Sequence, residues 1–556
     1  MDDFWEPVSN LSSPASTSGL ASQALSAIYK IPANAIITAI IGFIGLIIFT
    51  RLFSGRSSEE IDGQHNRSAW MPPYWVPVIG HGFSFLSDPA VFMAKLRDQS
   101  PHGIFALNLG ATTHTIISNP SLVKGVMQQK ESSAQIHLIL TKFFNLTTRK
   151  WEPSLEELMG VMGYLMKEPH LGNFMKVTVR GIEEHVPNIF SFMEGEVDQH
   201  SWERWASARY INEDEEEINL NAVLRDIMGQ VSVPALFGQA FFENNPDILH
   251  DVYDFDSGMM YFLMGLPWFT PWPSVIRAHL GRWRLRESMT EFSKALEDTI
   301  EGKAVDSKWD NMDDVKYGFS HKERGDISML WAMVVNATAL VYWQVLYIFA
   351  TPGLLDRVRN EIAPYAQVTK PTIIGTISES PGLKIDQEGL AKNCPLFRAT
   401  YLESLRLSSQ PWSVRKVAKD VSIPLEKQGG EATSYVLKSG GYITLPHDLH
   451  MRDPKYFKDP EKFVPERFLY TKEDGTISTD IGTIRPYGGG PSMCKGRQIA
   501  ERECMAFVAA VVMYWDMEPA DSKKTWVIPA QKKTSAVSLP VQDSRVRVKR
   551  RVFKWD

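Results

Sequence analysis

Residues Arg485 to Glu503 read Arg-Pro-Tyr-Gly-Gly-Gly-Pro-Ser-Met-Cys-Lys-Gly-Arg-Gln-Ile-Ala-Glu-Arg-Glu. Two prolines and a glycine triplet hold the first half in irregular structure. A single cysteine, Cys494, then stands where a helical pattern begins. Backbone N–H groups at a helix start lack partners, and the helix dipole is positive there. Both effects lower a thiol pKa, so the pattern predicts a thiolate at Cys494. The glycines at 488 to 490 and at 496 carry no Cβ, so a flat ligand could lie against the backbone. Together these features describe an axial thiolate for haem iron. A glycine turn with a buried cysteine is the simpler account of Cys-x-Gly alone, so the rest of the chain has to decide.

The chain has 556 residues, enough for one large enzyme fold or for two or three ordinary domains. It is 44% hydrophobic and 11% aromatic, which can fill a large core. A net charge of -6 gives no general argument for nucleic acid, and none is expected as a partner. The three cysteines, Cys394, Cys494 and Cys504, are too few and too scattered for a disulfide scaffold and fit a reducing compartment. No Cys-x-x-Cys or His-x-x-x-His spacing suggests zinc.

Residues 1 to 30 are rich in Ser, Ala and Pro and read as a disordered tail. Ile31 to Phe53 has no charge before Arg51, the length a bilayer core needs, and reads as a transmembrane anchor. The acidic start and the lateness of the apolar run argue against a signal peptide. Arg51 and Arg56 follow the span, so the positive-inside bias places the remainder in the cytosol and the tail in the lumen. There Asn10, in Asn-Leu-Ser, could accept a glycan. Residues 54 to 70 read as a polar linker. The prolines of Met-Pro-Pro-Tyr-Trp-Val-Pro, from Met71, stiffen the exit from the membrane, and residues 71 to 556 form the body of the protein.

Helical periods dominate that body, with short β-like runs at Gly103 to Leu109 and His114 to Ser118. Tyr261 to Val275 packs aromatics between prolines, which suits an exposed apolar lip and a buried loop equally. Ile327 to Leu355 is uncharged and long enough for a second membrane span. Its Ser328, Asn336, Thr338 and Gln344, and the charged stretches on both sides, favour a helix through the centre of a soluble domain, capped by Asp326 and ended by Pro352-Gly353. Asn393 to Leu407 is a helix opened by Pro395, with Glu403 and Arg406 three apart on one apolar-flanked face. A pair so placed needs a further partner, and Arg467, in Pro-Glu-Arg-Phe, is available. Residues 417 to 445 look β-rich, with turns at Gly429-Gly430 and Gly440-Gly441. The basic alternating run from Val546 reads as a solvated edge strand, or one that could touch phosphates.

Taken in order, these elements resemble the microsomal cytochrome P450 family from about residue 70 to residue 550. The resemblance rests on the anchor, the proline hinge, the central helix, Glu-x-x-Arg at 403 to 406, Pro-Glu-Arg-Phe at 465 to 468 and Gly-x-x-x-Cys-x-Gly at 490 to 496. It implies a mainly α fold with small β-sheets, preceded by one transmembrane helix. It implies haem b with Cys494 as the axial iron ligand, Tyr487, Gly490 and Gly496 against the cofactor, and Arg415 on a propionate. It also implies a buried triad of Glu403, Arg406 and Arg467. NADPH-cytochrome P450 reductase would supply electrons, at the endoplasmic reticulum membrane.

The departures from the family pattern are specific. Tyr487 stands where phenylalanine is usual, and Ser492 where an arginine or histidine is usual, so one propionate contact is missing or comes from elsewhere. A Trp-x-x-x-Arg match at Trp205 to Arg209 falls too late in the chain and is read as chance. In the central helix Asn336 and Ala337 replace the usual acid and threonine that relay protons, with Thr338 one residue on. Leu-Trp-Ala-x-x-x-Asn resembles the branch with sterol 7α- and 12α-hydroxylases and prostacyclin synthase, and the glycine-rich loop resembles fungal secondary-metabolite members. The expected function is oxidation of a lipophilic, terpenoid or steroid-like substrate, with Asn336 holding water and Thr338 donating a proton. Two alternatives are a haem-thiolate isomerase or dehydratase working without dioxygen, and a non-catalytic haem or lipophile binder.

Overall fold

The computed structural model describes residues 32–555 except 59, 62–65, 101, 111, 130–133, 136–162, 164–165, 264–265, 310–326, 372, 375–376, 379, 426–433, 491–492, 522–524, 533 and 535. Asn10, Asp326, Ser492 and the Gly429-Gly430 turn therefore lie outside the described residues. Residues 1–115 and 116–556 form two units.

In the first unit, helix α1 (Ala33–Phe53) follows Pro32, whose fixed φ suits a helix start. Its only early hydroxyl, Thr38, returns to the Asn34 carbonyl at 2.8 Å, and Thr50 to Leu46 at 2.7 Å, so neither is left bare. Ile41 is 64% and Phe43 60% exposed, an apolar surface that the described residues leave uncovered. The segment read as a polar linker carries hydrogen bonds of its own. Arg56 and Met71 exchange both backbone hydrogen bonds at 2.9 Å, Glu60–Ile61 pairs with Asn66–Arg67, and Tyr74 N–H donates to Ser54 Oγ at 2.8 Å. Polar side chains here serve the backbone rather than solvent, which composition alone does not show. Helix α2 (Pro89–Gln99) and strands β1 (Ile104–Leu109) and β2 (Thr112–Ile117) complete the described frame, the strands where the sequence expects them.

The second unit holds helices α3 (Pro120–Met127), α4 (His170–His185), α5 (Leu220–Phe237), α6 (Ile248–Ser257), α7 (Pro273–Ile300), α8 (Ile327–Ala350), α9 (Pro395–Ser408) and α10 (Arg497–Tyr514). Its strands include β3 (Glu215–Asn219), β4 (Trp412–Val417), β5 (Tyr442–Pro446), β6 (Trp515–Pro519) and β7 (Arg545–Arg550). Helix α8 is long and apolar enough to cross a membrane, but protein covers it. From Met329 to Ile348 every residue is buried except Trp331, Ala332 and Asn336. Its polar groups are spoken for: Gln344 Nε2 donates to Thr400 Oγ1 on α9 at 3.0 Å, and Trp343 Nε1 to the Ser538 carbonyl at 2.6 Å. Such bonds suit a protein interior, where an unpaired polar group is costly. Gly353, at φ 71°, ends the run in the left-handed region.

Strand β7 is not the edge that its basic alternation suggests. It lies between β6 and β3, antiparallel to both. Lys549 Nζ sits 3.1 Å from both Glu215 and Glu518, and Arg545 Nε donates to Glu217 at 2.8 Å. The positive charge answers acids from remote parts of the chain, not phosphate. The aromatic segment after Tyr261 is the exposed lip rather than the buried loop: Trp268 is 68% and Phe269 69% exposed.

One buried acid makes stability pH-dependent. Glu503 of α10 accepts the Ser232 hydroxyl of α5 at 2.5 Å, and burial raises its pKa from about 4.5 to about 7. The folded state thus holds this proton more tightly than the unfolded chain. Its contribution is full below the unfolded value and is lost as pH rises through the folded one. Glu503→Gln keeps an acceptor for Ser232 and removes the ionisation. Thermal unfolding should show the variant matching the parent at pH 5 and exceeding it at pH 8, by up to roughly 3 kcal/mol. Equal pH slopes for the two proteins would refute this.

Candidate active site

The Cys494 loop is closed by its own backbone. Gly488 N–H donates to the Arg485 carbonyl, Met493 N–H to Gly490 and Cys494 N–H to Tyr487, each at 3.1 Å. Gly488 and Gly490 adopt φ of 69° and 67°, which a side chain would oppose. A Cβ at Gly490 would lie 2.3 Å from the Met127 carbonyl oxygen of α3, and one at Gly489 would lie 2.3 Å from Met127 Sδ, so both glycines admit a close protein neighbour. Gly496 differs: a Cβ there would meet only Cys494 Sγ, at 3.8 Å, so space beside the thiol is open.

Helix α10 starts at Arg497, three residues after the cysteine. Burial pushes the thiol pKa up, against the N–H groups of Gly496 and Arg497 and the Arg497 charge, which pull it down. Cys494 nonetheless keeps accessible surface. A metal placed beside this thiol would remove its proton. Cys394 and Cys504, by contrast, are buried and donate to the carbonyls of Glu361 and Ala337, each at 3.7 Å.

Tyr487 ties the loop to α9, its hydroxyl paired with that of fully buried Tyr401. Its aromatic ring was assigned to the cofactor by resemblance; the structure gives its hydroxyl a structural partner. The same helix carries Glu403 and Arg406, both fully buried. Arg406 Nε and Nη2 donate to the two Glu403 oxygens at 2.7 and 2.9 Å. Its Nη1 donates to the Met451 and Pro460 carbonyls at 2.8 Å, and Nη2 also to Lys462 at 3.2 Å. All five guanidinium N–H groups are used. Glu403 Oε1 further accepts Arg467 Nε at 3.0 Å and Val464 N–H at 2.9 Å. Burial of such charges is tolerable only with this completeness. The structure therefore brings the three triad residues together, and they clamp residues 451–467 onto α9.

The two residues expected on the oxygen side do not share a face. They are two apart, about 200° around a helix, so they point in different directions. Thr338 is fully buried, and its hydroxyl donates to the Val334 carbonyl at 2.5 Å. Asn336 is partly accessible, and one turn earlier Ala332 is exposed, so these two mark the open face of an otherwise covered helix. Asn336 Oδ1 accepts Val537 N–H at 3.2 Å, which turns its NH2 away as a donor. Sequence reading missed Ala332 and Val537. The i, i+4 spacing pointed to the first, while the second arrives from the C-terminal region without a local signal. Trp205 ends a short helix and Arg209 starts a strand, so they form no helical pair.

Arg415 of β4 is 3% exposed, and Nη1 donates to the Val126 carbonyl at 3.3 Å. Burial lowers its pKa, a cost that a neighbouring anion would offset. An accessible sulfur with open space at Gly496, a buried cation and an interior helix with one uncovered patch fit the demands of haem: a soft iron ligand, a carboxylate partner and room above a ring.

Comparison with known proteins agrees with this fit. The Cytochrome P450 family model matches residues 174–546. The Cytochrome P450 monooxygenase poxD of Penicillium oxalicum is 24% identical, over 80% of this chain and 86% of that protein. Cytochrome P450 7B1 of Mus musculus is 23% identical, over 86% of this chain and 90% of its own length. The 24-hydroxycholesterol 7-alpha-hydroxylase of Homo sapiens is 22% identical, over 85% and 92%.

Proposed function

Because the chain belongs to the cytochrome P450 family, we propose that it is a membrane-anchored haem-thiolate monooxygenase that oxidises a lipophilic, terpenoid or steroid-like substrate. The observation that carries this reading is the accessible sulfur of Cys494 in an otherwise closed loop. Cys494, with Arg415, would hold the haem. Bound haem supplies redox-active iron, and the thiolate pushes electron density that favours O–O cleavage. The chain's own residues do the rest. The triad and Tyr487 fix the loop that presents the sulfur. Ala332 offers a flat apolar surface on α8, and Asn336 offers a donor that can hold a water or a substrate oxygen.

The steroid-like substrate class is supported by the 24-hydroxycholesterol 7-alpha-hydroxylase among the relatives, and the monooxygenase reading by the fungal ones. Helix α1 is read as a single-pass anchor in the endoplasmic reticulum, with Arg51 and Arg56 on its cytosolic side. The exposed Trp268, Phe269 and Trp272 suit contact with lipid. Electrons come from NADPH through a flavoprotein reductase. A second reading, isomerase or dehydratase, draws on the open face of α8, which among the described side chains bears Asn336 and Ala332 but neither an acid nor a hydroxyl. The two separate cleanly. Membranes holding the chain and a matched reductase are given sterol and terpenoid candidates under 18O-labelled dioxygen. Monooxygenation puts one labelled atom into product only with NADPH; unlabelled product formed without NADPH establishes the second reading instead.

The two oxygen-side residues differ in what their loss should do. Asn336→Ala removes the polar group described on the open face and should lower product formed per NADPH by about tenfold, the worth of one such hydrogen bond. Thr338→Val, buried and facing the core, should leave that ratio unchanged. The reverse pattern in coupled turnover assays would return the proton relay to Thr338.

A further inference from the structure

Helix α3 ends against the thiol loop. Asn119 caps its start, its side chain accepting Ser121 N–H at 3.0 Å, with Pro120 in the first turn. Leu122, Val123, Val126 and Met127 form a buried face. Gly125 lets the strand Val421–Pro424 close in, since a Cβ there would lie 2.8 Å from Ile423 Cγ2. The end of the helix is therefore held in place from the other side. The N–H groups of Gln128 and Gln129 turn back to the carbonyls of Lys124 and Val126. The Met127 carbonyl is met instead by Gly490, whose Cα–H points at it, the geometry of a weak hydrogen bond. Met127 Sδ fills the space that a Cβ on Gly489 would take. One residue thus occupies both glycines, by its backbone at Gly490 and by its side chain at Gly489.

From this contact the sulfur is a short step away. The Gly490 carbonyl accepts Met493 N–H at 3.1 Å, and Cys494 is the next residue, its own N–H on the Tyr487 carbonyl at 3.1 Å. Tyr487 fixes the far side of the loop through Tyr401, so a shift of Gly489 and Gly490 falls on the residues that carry the thiol. We propose that Met127 is a positioning residue for Cys494: the last side chain of α3 seats the loop, and its fit against the two glycines sets how firmly the sulfur stays on the metal. This rests on the haem-thiolate reading above.

The test is a size exchange in the full-length protein: Gly489→Ala, Met127→Ala, the two combined, and Gly490→Ala with and without Met127→Ala. With haem bound, the reduced carbon monoxide complex is followed on mild warming as its sulfur-ligated Soret band converts to that of haem without a thiolate. In the apoprotein, the rate at which a thiol reagent labels Cys494 gives a second readout, selective because Cys394 and Cys504 are buried. Gly489→Ala overfills the contact and should speed conversion roughly tenfold. Met127→Ala empties it and should also speed conversion. In the combination the new methyl enters the vacated space, and conversion should return to within about threefold of wild type, a coupling that independent sites do not show. Gly490→Ala meets a backbone carbonyl at a φ of 67°, so trimming Met127 should not help it. Labelling of Cys494 should follow the same order. A combined variant no better than Gly489→Ala, in conversion or in yield of folded protein, overturns the proposal. So does Met127→Ala with wild-type conversion and labelling and only a lower urea midpoint, which marks a plain packing contact. A wild-type protein whose haem shows no sulfur ligation defeats the underlying reading before any variant is compared.

Discussion

Cys494→Ala eliminates the thiolate-ligated haem spectrum and all substrate oxidation, while the apoprotein folds as before. The sulfur faces open space at Gly496 and packs no core, so its removal should change stability by less than about 0.5 kcal/mol, as at other sites away from core packing. No other thiol can substitute. Cys504 is fully buried, and Cys394 lies at the start of α9 against the Glu361 carbonyl. Without a thiolate the iron loses the electron donation that favours O–O cleavage, so turnover should fall by orders of magnitude and not by a modest factor. Far-ultraviolet circular dichroism on the apoprotein, iron content and product assays check the three parts. Retained oxidation by the alanine variant would move the chemistry away from Cys494.

Arg406→Leu prevents recovery of folded haem protein. It strands Glu403, fully buried, with only Arg467 and Val464 N–H beside it, and frees the carbonyls of Met451, Pro460 and Lys462. Breaking one side of a buried ion pair costs about 3–5 kcal/mol, a large part of a typical folding free energy. A double apolar replacement at 403 and 406 should not rescue it, because the three carbonyls remain unanswered. Arg467→Ala should be milder, about 1–2 kcal/mol, since Arg467 gives Glu403 a single bond and its side chain is 14% exposed. Soluble yield, haem-to-protein ratio and urea midpoints order the three variants. Wild-type yield and haem content from Arg406→Leu would contradict the clamp.

What the sequence made legible were local patterns. Glu403 and Arg406 are one helical turn apart, and Pro395 marks where that helix starts. The central helix could be told from a membrane span because Gln344 and Thr338 need polar partners, and the structure supplies them. The opposed directions of Asn336 and Thr338 were also readable, since two residues on a helix do not share a face. What was not legible depended on remote partners. The approach of Met127 to Gly489 and Gly490 joins residues more than 360 positions apart and has no local signal. Strand β7 looks solvated until Glu215 and Glu518 flank it.

The most direct test of the account is the carbon monoxide difference spectrum of the reduced, full-length protein with haem. A thiolate from Cys494 predicts the strongly red-shifted Soret band that sulfur ligation gives, absent from Cys494→Ala. A band at the position typical of histidine ligation, or no bound haem at all, would contradict it.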